Sequence, residues 1–244
     1  MEEIRQFSNN YDIIGITETW INSDINDSEV QIEGFNMFRA DRKKGRGGGV
    51  ILYITTKLAA FMCLEAELVF EEAVWCKIKL RRSYLLVGLC YRSPSSTESC
   101  NQTLLDSFDH VMKSSHAAHV LIMGDFNCPK INYSNGYVDN GGTVFEHDFF
   151  EKTQDLLLVQ NIFGETRYRT GDLPSKLDYV FTDEEGLIDH VDYLTPVGKS
   201  DHVVLSWMTT VEPQEKLPNN EAKFLFHKGD YIPFKLYLSC INWS

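Results

Sequence analysis

The chain has 244 residues, 43% hydrophobic and 24% charged, enough for one large core in a soluble domain; no run approaches the roughly 18 apolar residues that a membrane span needs. A net charge of −12 argues against passive binding to nucleic acid through a basic surface and suits an enzyme whose carboxylates hold a divalent cation. Six cysteines without a Cys-x-x-Cys pair argue against a zinc site and for reduced thiols in an intracellular setting, and the Met1-Glu2-Glu3-Ile4-Arg5 start lacks a signal peptide's apolar core.

Residues 1–9 read as the end of a helix. Tyr11 to Ile16 is a short apolar strand that runs into Thr17-Glu18-Thr19-Trp20. Phe35 to Ala40 and Gly49 to Thr55 are strand-like. Between them lies a basic cluster, Arg39, Arg42, Lys43, Lys44 and Arg46, which ends in Gly47-Gly48-Gly49. Such a cluster is either a solvated loop or a phosphate-tracking surface. Ala73 to Leu80 and Ser83 to Tyr91 form a hairpin around Arg81-Arg82.

Thr97 to Lys113 places Leu104, Leu105, Phe108, Val111 and Met112 at helical spacing. The apolar run from His119 to Met123 is a buried strand ending in Gly124-Asp125-Phe126-Asn127. Alternate strand residues share a face, so Asp125 and Asn127 are expected side by side, able to hold a phosphate or an attacking water. Read alone, Asp-x-Asn is also an ordinary turn. Thr143 to Val159 is a second amphipathic helix, and Lys176 to Thr182 and His202 to Met208 are further strands. Asp178 interrupts an apolar strand and needs a partner, because burying an unpaired carboxylate is costly; His202 is a suitable one. The other histidines, among them His110, His116, His119, His147, His190 and His227, show no ligand spacing. From Val211 the pattern loosens into a linker.

Polar residues thus recur at strand ends: Glu18, Tyr91, Asp125, Asn127, Asp178 and Ser200-Asp201-His202. Their chemistry fits metal-assisted phosphodiester hydrolysis, with carboxylates for a hard cation and a histidine beside a carboxylate for protons or developing charge. Strands outnumber helices, and the layering expected is an α/β sandwich.

The motifs Gly15-Ile16-Thr17-Glu18-Thr19-Trp20, Arg46-Gly47-Gly48-Gly49-Val50, Tyr91-Arg92-Ser93-Pro94, Gly124-Asp125-Phe126-Asn127, Leu177-Asp178-Tyr179-Val180 and Ser200-Asp201-His202 resemble those of the endonuclease/exonuclease/phosphatase superfamily, whose fold is that of DNase I and of apurinic endonucleases. More narrowly, the chain is similar to the endonuclease domains of non-LTR retrotransposons of the jockey and CR1 type. The resemblance spans Tyr11 to Thr209. It implies a four-layer sandwich of two mainly antiparallel sheets flanked by helices. It also implies that the family's asparagine-bearing first strand, which would precede the helix at residues 1–9, is missing. A fragment of a longer element and a truncated, impaired copy would both show this.

For the site, the resemblance implies Glu18 and Asp201 as metal ligands for Mg²⁺, with Mn²⁺ as a substitute. Asp125 would orient the attacking water, and Asp178 would orient His202. Tyr91 would hydrogen-bond the phosphate or the metal-site network. Asn127, Arg92, Ser200 and Thr166 are expected at the phosphate, and Arg46 at DNA. Residues 1–210 are then the endonuclease domain, and 211–244 a linker toward a reverse transcriptase. The implied partner is DNA, with no membrane, and the implied place of action is nuclear.

Overall fold

Each long strand of the computed structural model, which describes residues 1–63, 70–114 and 118–214, alternates its side chains between two cores. The elements run α1 (Glu2–Phe7), β1 (Ile13–Thr17), α2 (Asp27–Val30), β2 (Phe35–Ala40), β3 (Val50–Thr55), β4 (Ala60–Met62), β5 (Ala73–Lys79), β6 (Tyr84–Tyr91), α3 (Glu98–Ser114), β7 (Ala118–Asp125), β8 (Ile131–Asn132), β9 (Tyr137–Val138), α4 (Val144–Asp155), β10 (Val159–Gln160), β11 (Asp178–Thr182), β12 (Asp192–Leu194) and β13 (Val204–Ser206). The larger sheet has the order β10-β11-β7-β6-β5-β4. Its β6–β7 pair is parallel and joined through α3, and its other pairs are antiparallel. The second sheet is β1-β3-β2, and β12 and β13 pair separately.

The alternation explains the layers. In β6, Leu85, Val87, Leu89 and Tyr91 face the core between the sheets, whereas Leu86 and Cys90 face the core under α3 and α4. In β7, Leu121 and Met123 turn inward between the sheets, and Val120 and Ile122 turn toward the helices. From the second sheet, Val50, Leu52 and Ile54 close the inter-sheet core, while Ile51 and Tyr53 pack outward with Ile4, Val30 and Ile32. Helix, sheet, sheet and helix are the four layers expected.

Most of the strands expected from the sequence are present. The helix expected over Thr143 to Val159 is shorter. It starts on a Thr143–Glu146 capping box, which satisfies free N–H groups of its first turn. It ends at Asp155, and Leu157 then adopts a left-handed φ of 54°, which turns the chain into β10. Short β4 and β12 carry too little pattern to be read from sequence. Beyond Gln214 the expected linker lies outside the described residues, as do His116 and His227.

Among the described residues, β1 pairs on one side, with β3, and β13 pairs with β12. Both strands line the same inter-sheet core, through Ile13 and Leu205. A groove of about 410 Å³ separates α1 from residues 194–197 and Val204. Gly198 N–H spans this region, donating to Glu3 Oε2 at 2.8 Å. No described helix is long and apolar enough to cross a membrane.

Candidate active site

Strand register builds one half of the site. Tyr91 and Asp125 are paired positions of β6 and β7, and Asp125 and Asp178 are paired positions of β7 and β11. All three share the parity of residues facing between the sheets, so the strand ends form a row at the rim of that core. The motif beginning at Gly124 divides its labour. A Cβ on Gly124 would sit 1.9 Å from the Cys90 carbonyl oxygen, so only glycine lets β7 pass β6 there. Asp125 is buried at the rim. Phe126 is fully buried and packs with Phe108, Phe149 and Phe181 at ring centroid distances of 6.0, 4.9 and 6.0 Å.

Asn127 corrects an expectation. β7 ends at Asp125, so strand alternation does not carry Asn127 to the same face. Its backbone is left-handed, with φ 52°, a region that asparagine tolerates. Its N–H donates to Asp125 Oδ1 at 3.0 Å, and its side-chain amide donates to the Arg92 carbonyl at 3.0 Å.

Turns supply the other half. Glu18 follows β1 with φ 54°, and Trp20 has φ 58°. The Glu18 carboxylate accepts from the Tyr91 hydroxyl at Oε1, and at Oε2 from Trp20 Nε1 (2.6 Å) and Gly48 N–H (3.1 Å). The glycine run is therefore a cradle for this carboxylate. Gly47, Gly48 and Gly49 all have positive φ, and a Cβ on Gly48 would meet Glu72 Oε1 at 2.1 Å. Glu72 in turn accepts from Arg42 at Nε (3.1 Å) and Nη2 (2.8 Å), and from Gly49 N–H (2.7 Å). Nothing local in the sequence marks this pair, which is 30 residues apart. It removes Arg42 from the basic cluster, and Arg39 pairs with Asp27 and Asp41. Lys43, Lys44 and Arg46 remain exposed, with the Arg46 guanidinium 5.1 Å from the Trp20 ring centroid.

His202 joins the halves, with Nδ1 2.8 Å from Asp178 Oδ2. Its N–H is tied to Ser200 Oγ at 3.0 Å. Asp125, Asp178 and His202 offer ligand atoms that all lie within 4.8 Å of one another, so together they could hold a metal ion. Burial, together with the charge of Asp178, pushes the Asp125 carboxyl well above the usual carboxylate range. Burial by itself would lower the His202 pKa, but the hydrogen bond and charge of Asp178, with Asp125 and Asp201, more than offset this and raise it. Burial and the bond to Glu18 raise the Tyr91 phenol. Its candidate donors are mostly hard oxygens, which fits a divalent cation of the Mg²⁺ type.

Three residues stand apart from their expected places. Thr166 is fully buried, and its hydroxyl accepts from Leu177 N–H (3.0 Å) and Asp178 N–H (3.1 Å), so it fixes the start of β11 and not a phosphate. Arg92 is buried beneath the site. It donates to Asn101 Oδ1 (2.8 Å) and the Phe126 carbonyl (3.3 Å) and lies 4.0 Å from the Phe145 ring centroid. Asp201 stands outside the close cluster and accepts from Arg167 Nε at 3.0 Å. Arg167, which the sequence did not single out, also reaches Asp172.

Layering and site together define a DNase I-like member of the endonuclease/exonuclease/phosphatase superfamily. The family model of endonuclease–reverse transcriptases matches residues 85–206, half of the chain, and the chain belongs to that family. The fold is similar to that of the endonuclease domain of TRAS1, a telomere-specific non-LTR retrotransposon (TM-score 0.63, 16% identity, covering 84% of this chain and 88% of that one). It is also similar to the catalytic domain of Xenopus laevis APE2 (0.62, 17%, 85% and 86%) and to the Neisseria 3′ phosphatase NExo bound to a product DNA hairpin (0.62, 13%, 85% and 93%). No curated protein matches by sequence.

Proposed function

We propose that this chain is the endonuclease domain of a non-LTR retroelement, which nicks one DNA strand by hydrolysis. The observation that carries the proposal is the register row of Tyr91, Asp125 and Asp178, met by Glu18 and His202 from the opposite rim. Asp125 orients the attacking water and takes its proton, a task suited to a carboxyl whose pKa is raised toward neutrality. The water oxygen bonds to phosphorus as the bond to the 3′-oxygen breaks, leaving a 5′-phosphate and a 3′-hydroxyl. Asp178 holds His202 through Nδ1, which leaves Nε2 to donate to the phosphate. Tyr91 steadies Glu18. Glu18 and Asp201 are the residues that would hold Mg²⁺; Asp201 accepts from Arg167 Nε at 3.0 Å. When bound, the cation offsets charge on the phosphate and the leaving oxygen. Arg46, with Lys43 and Lys44, is the exposed basic loop for the DNA backbone. The 3′-hydroxyl would prime a reverse transcriptase associated with the element.

The test is nicking of supercoiled plasmid in Mg²⁺ by the wild type, Asp125→Ala and His202→Ala, beside a phosphoinositide substrate. Nicking lost in both variants supports the proposal. Equal nicking by all three, or turnover of the lipid alone, refutes it.

A second reading is a copy with the same fold, weak DNA binding and no turnover. It is favoured by the edges of β1 and β13 that no strand pairs with among the described residues, beside Glu18 and His202. Salt-sensitive DNA binding without nicking by the wild type would mark that case, whereas nicking regained when an asparagine-bearing strand is added ahead of Met1 would mark a fragment of an active element instead.

A further inference from the structure

We propose that Trp20 is a positioning residue for the Glu18 carboxylate, held in place by Arg46 and the glycine run; the inference rests on the metal-dependent nuclease reading. Trp20 is 57% exposed, so burial does little to explain its conformation. Both it and Glu18 adopt left-handed backbone that non-glycine residues enter only at a cost. What the conformation achieves is a hydrogen bond. It folds the indole back so that Nε1 donates to Glu18 Oε2 at 2.6 Å.

The opposite loop locks this arrangement. Trp20 N–H donates to the Gly48 carbonyl at 2.9 Å, and Thr19 N–H donates to that of Gly49 at 3.3 Å. The Arg46 guanidinium lies 5.1 Å from the ring centroid, a cation–π distance. A Cβ at Gly47 would stand 3.3 Å from Glu18 Oε2 and 3.4 Å from the indole, so the glycine leaves room for both. The motifs Thr17-Glu18-Thr19-Trp20 and Arg46-Gly47-Gly48-Gly49 are thus two sides of one device. Three donors on two oxygens fix the carboxylate plane and determine which lone pairs remain for a cation. Groups that hydrogen-bond a ligating carboxylate commonly change metal affinity about 10–100-fold when removed.

The experiment is Mn²⁺ binding followed by electron paramagnetic resonance on the wild type, Trp20→Phe, Arg46→Met and Glu18→Gln, with thermal melting of each. Trp20→Phe keeps the ring and removes the donor. The expected result is a Glu18-dependent Mn²⁺ site, weakened about 10-fold in Trp20→Phe and less in Arg46→Met, with unchanged melting. Wild-type affinity in Trp20→Phe, alongside loss in Glu18→Gln, overturns the role of Trp20 and leaves the nuclease reading standing. Equal Mn²⁺ binding by wild type and Glu18→Gln overturns both. Should Trp20→Phe melt early, tryptophan emission of the wild type and Glu18→Gln during Mg²⁺ titration replaces it. A change in the wild type that Glu18→Gln lacks supports the role, and a silent wild type contradicts it.

Discussion

Tyr91, Asp125 and Asp178 hang from three adjacent, mutually paired strands over an aromatic core, whereas Glu18 follows the end of β1 and His202 sits in an isolated bridge with Arg167 just before β13, beside strands that among the described residues pair on one side. On the first rim a side chain is placed by parity and register, and every neighbouring strand reinforces that placement. On the second, placement depends on left-handed backbone, glycine N–H groups and a few side-chain hydrogen bonds. The first half is stiff because it is core. The second is arranged around its charges, so changes there should affect function more than folding.

Substitutions in each half sharpen this contrast. The largest stability loss is expected from Phe126→Ala on the sheet-anchored rim, about 3–5 kcal/mol in urea denaturation, because it empties the centre of the aromatic core. Gly48→Ala on the turn-built rim meets Glu72 and Arg42 side chains and not backbone. Its expected cost is about 1–3 kcal/mol, with nicking lost well out of proportion. A larger stability loss for Gly48→Ala than for Phe126→Ala would break the comparison.

The smallest effect has the opposite sign. The folded-state pKa of Asp125 is raised, so its contribution to stability is fully present below the unfolded carboxylate value of about 4 and is lost as pH rises through the folded value. In metal-free buffer, Asp125→Asn is therefore expected to be more stable than the wild type near pH 8, by about 1 kcal/mol or more. The gap should narrow toward pH 4. Melting curves at several pH values read this directly, and a gap that widens on acidification would contradict the charge assignment.

The same contrast explains what could be read from the sequence. Tyr91, Asp125 and Asp178 end or open apolar runs, and period-2 alternation sends them to one rim without knowledge of any distant partner. The need of Asp178 for a partner likewise pointed to His202. The turn-built half was less legible. The Gly47–Gly49 run looked like a flexible or DNA-facing loop, because its real partners, Glu18 and Glu72, are more than 20 residues away. Arg92 and Thr166 carry phosphate-binding chemistry in their side chains, but the fold uses their polar atoms internally. Asn127 lies two residues beyond the end of β7 at Asp125, where strand alternation no longer applies. Arg167, the partner of Asp201, sits in an irregular stretch where no period operates.

The central claim is that the two rims form one catalytic site, and Asp178 and His202 test it from opposite sides. Nicking rates should be measured for Asp178→Asn, His202→Ala and the double variant. Each single change should slow nicking about 10²–10⁴-fold, and the double variant should be no slower than the worse single one, as for residues acting as a unit. Losses that multiply in the double variant, or single variants at the wild-type rate, would contradict the account.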